Sequence, residues 1–63
     1  MESDFSELSS MASTLEQLIR RFSSLADQAI ARKQDDVAAD LLAVERALTS
    51  AQRRLGRLLS PRN

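Results

Sequence analysis

With 63 residues, nine bases balanced by nine acids and a net charge of zero, the chain makes one domain at most. Alone it removes too little apolar surface from water to offset the entropy of ordering itself. It contains no Cys, His, Trp or Tyr, which excludes disulfides, a structural zinc site and most nucleophile-and-base pairs.

Helix 1 is predicted over about 4–33. Leu8, Met11, Leu15, Leu18, Phe22, Leu25 and Ala29 recur at alternating steps of three and four, the spacing that keeps apolar side chains on one side of a helix. In heptad terms Leu8, Leu15, Phe22 and Ala29 take position a, and Met11, Leu18 and Leu25 take position d. Phe5, Ala12, Ile19 and Ala26 widen the stripe at e, so the helix is expected to touch more than one neighbour. Asp4 followed by Glu7 reads as a capping-box variant that starts the helix at Ser3 or Asp4. The serines of its polar face have only moderate helix propensity, which leaves helix 1 dependent on packing.

A turn is predicted at Arg32 to Asp35, although that segment contains neither glycine nor proline. Continued through it, the first stripe would place Arg32 and Asp36 on the apolar seam. Arg32 and Lys33 suit the negative end of a helix dipole, and Asp35 and Asp36 suit the positive end of the next. A single long helix zipped to a second chain is the alternative, with a register fault at this point.

Helix 2 is predicted over about 36–59, with Leu41, Leu48 and Leu55 at a, and Val37, Val44, Ala51 and Leu58 at d. Gly56 weakens its last turn by roughly 1 kcal/mol relative to alanine, and Pro61 cannot continue it, so residues 60–63 read as a frayed tail. Laying the second stripe against the first gives an all-α antiparallel hairpin, a single domain over residues 1–63. Its expected core is Leu8, Leu15, Leu18, Phe22 and Leu25 with Leu41, Val44, Leu48, Leu55 and Leu58.

A pair of helices cannot bury both its facing stripe and the large flanking residues Phe5, Ile19, Ile30, Leu42 and Leu59. These are expected to close two hairpins into a homodimeric four-helix bundle or to receive a helix of another protein. Ile19, Ile30 and Leu42 are therefore candidate partner-binding residues. The signs of charge are also uneven: Glu2, Asp4, Glu7 and Glu16 fall before residue 20, while Arg46, Arg53, Arg54, Arg57 and Arg62 crowd the other end. Antiparallel helices bring these ends together. Arg53, Arg54 and Arg57 are the candidate contact for an acidic surface, since arginine forks match carboxylate and phosphate geometry.

No cofactor, metal or catalytic residue is expected. Asp35, Asp36 and Asp40 read as acids decorating a helix start rather than a Mg²⁺ site, and Leu55 to Leu59, which matches an LxxLL docking helix, reads as buried core. The expected role is that of a small non-enzymatic adaptor, assembly or regulatory protein acting through homodimerisation and protein binding. The runner-up is a nucleic-acid-associated regulator using the Arg-rich end, weakened by the lack of interleaved aromatics. A membrane-surface role is disfavoured by the acidic start. With no long apolar run and no leader-like segment, a cytoplasmic location is the default.

Overall fold

The computed structural model describes the backbone of residues 2–60 and the side chains of residues 4–60. Two helices, α1 (Glu2–Ala31) and α2 (Asp35–Leu59), run antiparallel and pack along their length. The chain is an all-α helical hairpin. Helix α1 begins before the expected cap, so Asp4 lies within its first turn instead of ahead of it. Pro61 and Arg62, with the rest of the tail beyond Ser60, lie outside the described residues.

The turn is built without glycine. Gln34 N–H donates to the Ala29 carbonyl at 2.8 Å and Lys33 N–H to that of Ile30 at 3.0 Å, the paired bonds of a Schellman motif that satisfy carbonyls otherwise left open at a helix end. The motif needs a left-handed residue, and Lys33 supplies it with φ 59°, a conformation that costs a side-chain-bearing residue roughly 1–2 kcal/mol. Gln34 serves as N-cap of α2 with no side-chain cap bond, and its carbonyl accepts from Ala38 N–H at 2.9 Å. Asp35 and Asp36 supply the acids of the first turn of α2, as their sequence position predicted.

The interhelical seam is rotated from the expected one. Among the described residues the buried ones are Ala26, Ala29 and Ala38, and the half-buried line continues through Leu8, Ala12, Leu15, Ile19 and Phe22 on α1, and Leu41, Leu48, Leu55 and Leu59 on α2. These are heptad positions a and e. Leu8, Leu15, Phe22, Leu41, Leu48 and Leu55 take their expected places, but Leu18, Leu25, Val44 and Leu58 do not: all four are exposed in the hairpin. Ile19, read as a flank for a partner, lies in the seam instead, as does Leu59.

The short connection explains the rotation. Three residues between the helices hold their backbones close at the turn, and only a line of alanines admits that approach. Ala26 and Ala29 on one side and Ala38 on the other supply it, whereas the d positions beside them carry Leu25 and Val37. Further along, the same rotation leaves Glu45 and Gln52 half-buried on α2. Among the described residues no large side chain is fully buried.

The molecule is a flat layer. Its extents are 47 × 19 × 11 Å and its radius of gyration is 14.7 Å, against about 11 Å for a compact chain of this length. A layer one helix thick has two open faces, so what each face carries decides what the protein can do.

Candidate interaction surface

Among the described residues nine large apolar side chains remain exposed, and six of them share one face. Met11, Leu18 and Leu25 recur every seven residues along α1, and Val37, Val44 and Leu58 follow the same heptad position on α2. In an antiparallel pair, side chains displaced the same way around each helix emerge on the same side of the layer. A hollow of about 300 Å³ lined by Met11, Leu15 and Leu18 of α1 with Leu55 of α2 lies on this face and spans the two helices. Among the described residues the opposite face carries two of them, Ile30 and Leu42, the exposed flanks the sequence predicted, while Phe5 sits at the open end of the seam.

The rotation of the seam produced this face. Had the a and d stripes met, Leu18 and Leu25 would be covered and Ile19 exposed; with a and e inward, the roles of Leu18 and Ile19 exchange. Exchanging d for e while a stays turns the centre of the stripe by about 50°, half of the ~100° between adjacent residues. On α1 the stripe does not distinguish the two rotations, since both positions are apolar, while on α2 the e positions include Glu45 and Gln52.

The arginines of the α2 C-terminal half do not form one patch. At 100° per residue Arg46, Arg53 and Arg57 point away from α1 along the outer edge of the hairpin, while Arg54 turns toward the margin of the apolar face. Arg46 and Arg53 border a shallow groove with Leu42, Glu45 and Thr49. All four arginines are exposed. The expected attraction between the acidic and basic ends is not realised as contacts: among the described residues the single ion pair is Glu16–Arg20, 2.9 Å, within α1.

No group of three acidic residues among the described positions is disposed to hold a metal ion, Asp35, Asp36 and Asp40 included. Among the same residues no helix is long and apolar enough to cross a membrane. Comparison with protein-family models, curated proteins and solved structures found no significant match. The residues that the fold displays are thus the basis for reading its role.

Proposed function

We propose that this chain is a small, non-enzymatic cytoplasmic module that self-associates through its apolar face and acts as an adaptor, assembly or regulatory subunit. The observation that carries the reading is the placement of Met11, Leu18, Leu25, Val37, Val44 and Leu58 on one side of a two-helix layer. So small a chain gains stability by covering such a face, and a second hairpin laid on it completes a four-helix bundle. The test is sedimentation equilibrium together with melting at several protein concentrations. A dimer whose melting temperature rises with concentration supports the reading, and a monomer with a cooperative, concentration-independent melt refutes it.

In such a bundle the outer edge bearing Arg46, Arg53 and Arg57 stays open, and it is the site proposed for an acidic partner. Replacing Arg46, Arg53 and Arg57 by Gln is expected to leave helicity and assembly nearly unchanged, because exposed charges contribute little to folding, while weakening capture of the partner. The same edge supports the second reading, phosphate contacts to nucleic acid. That reading requires affinity that falls steeply with added salt.

A further inference from the structure

Asp4 and Arg32 continue the exposed apolar row of α1 at its two ends, so the row reads Asp4, Met11, Leu18, Leu25, Arg32 at intervals of seven. Arg32 follows the last helical residue, but its N–H still bonds the Gln28 carbonyl at 3.0 Å, which keeps it in the helical rotation. Asp4 and Met11 line a common hollow with Glu7 and Leu8. Neither Asp4 nor Arg32 has an ion-pair partner among the described residues. The row is self-complementary: reversed about Leu18, it sets acid against base, Met11 against Leu25 and Leu18 against itself.

The margin of the same face on α2 has the same property. Asp40, Ala47 and Arg54 follow one another at intervals of seven, and reversal about Ala47 again sets acid against base. The apolar row beside it, whose own centre lies half a residue away between Ala47 and Leu48, places Val37 opposite Leu58 and Val44 opposite Ala51. The two centres agree in height. Leu18 is fifteen residues before Lys33 and Ala47 fourteen after it, a mismatch of one residue, or about 1.5 Å of helix.

From this double complementarity we infer that the occupant of the apolar face is a second copy of this chain, laid face to face and head to tail. The two-fold axis passes by Leu18 and Ala47, so Asp4 of each copy meets Arg32 of the other and Asp40 meets Arg54. The inference rests on the self-association proposed above and adds its orientation and register. A face of 47 × 19 Å offers about 900 Å² per copy, close to the ~800 Å² per partner of stable interfaces. The other symmetric arrangement, with both turns at one end, apposes α1 to α2 of the second copy at equal height. There, by the same count from Lys33, Asp40 falls within one residue of the level of Leu25 and Arg54 within one of that of Met11, so both charges face apolar side chains, a cost that selects against the arrangement.

The test is a charge exchange in the full chain, read by sedimentation equilibrium at low salt. Asp4→Arg and Arg32→Asp are each expected to weaken self-association by roughly tenfold, since each places two like-charged pairs in the dimer. Mixed in equal amounts, the two variants pair with each other, because one supplies arginine at both positions and the other aspartate. Spin labels on Gln34→Cys provide a second measurement: head-to-tail packing holds the two turns about 40 Å apart at ~1.5 Å per residue, and the same-end arrangement holds them within roughly 20 Å. A dimer with labels at the short distance, or variants that gain nothing on mixing while the wild type dimerises, overturns the orientation and leaves the self-associating module standing. A monomeric wild type overturns both.

Discussion

Ala26→Leu tests the idea that alanines set the rotation of the helices. Ala26 is 0% exposed and its nearest rivals in burial, Ala29 and Ala38, are each 4% exposed, so three added carbons have no space to enter. Overpacking of this kind costs about 1–3 kcal/mol. For a 63-residue chain total stability is on the order of 3–9 kcal/mol at 0.05–0.15 kcal/mol per residue, so the substitution removes a large share. Thermal melts followed by circular dichroism, with protein concentration held constant, are expected to shift down by roughly 4–8 °C per kcal/mol. Ala39→Leu is the control, because Ala39 is exposed and the same change there should stay within about 0.5 kcal/mol. If both variants melt alike, close approach at Ala26 does not hold the seam, and the account of its rotation is wrong.

Three further substitutions act on the backbone. Gly56→Ala is expected to raise stability by about 0.5–1 kcal/mol in urea melts, since a Cβ there meets nothing within 4 Å and alanine restrains the unfolded chain. Lys33→Gly is expected to gain about 0.5–1 kcal/mol despite glycine's added freedom, because it relieves a left-handed residue at φ 59°; a loss would mean that the lysine side chain contributes to the turn. Gln34→Ser supplies the side-chain acceptor that the N-cap of α2 lacks and should add about 0.5–2 kcal/mol, detectable as slower amide exchange in its first turn.

Two helices, their approximate limits and the turn between them were legible in the chain because a heptad stripe reports its own helix, and a break in phase reports where that helix stops. Charge reinforced the reading, with Asp35 and Asp36 in the first turn of α2 where the dipole favours them. The form of the turn was less legible, since its left-handed position is held by lysine and not by the glycine that usually marks such a site.

Which side of each helix faces the other was decided by the tertiary structure. Leu18 and Ile19 are equally apolar neighbours, and periodicity accommodates either in the seam; Leu25 and Ala26 pose the same choice. The three-residue connection brings the backbones together where only Ala26, Ala29 and Ala38 leave room, and the remainder of each helix must follow that rotation. Leu18, Leu25, Val44 and Leu58 are thereby left outside, and the surface proposed for association exists because the smallest side chains, not the largest, are those the hairpin buries most completely.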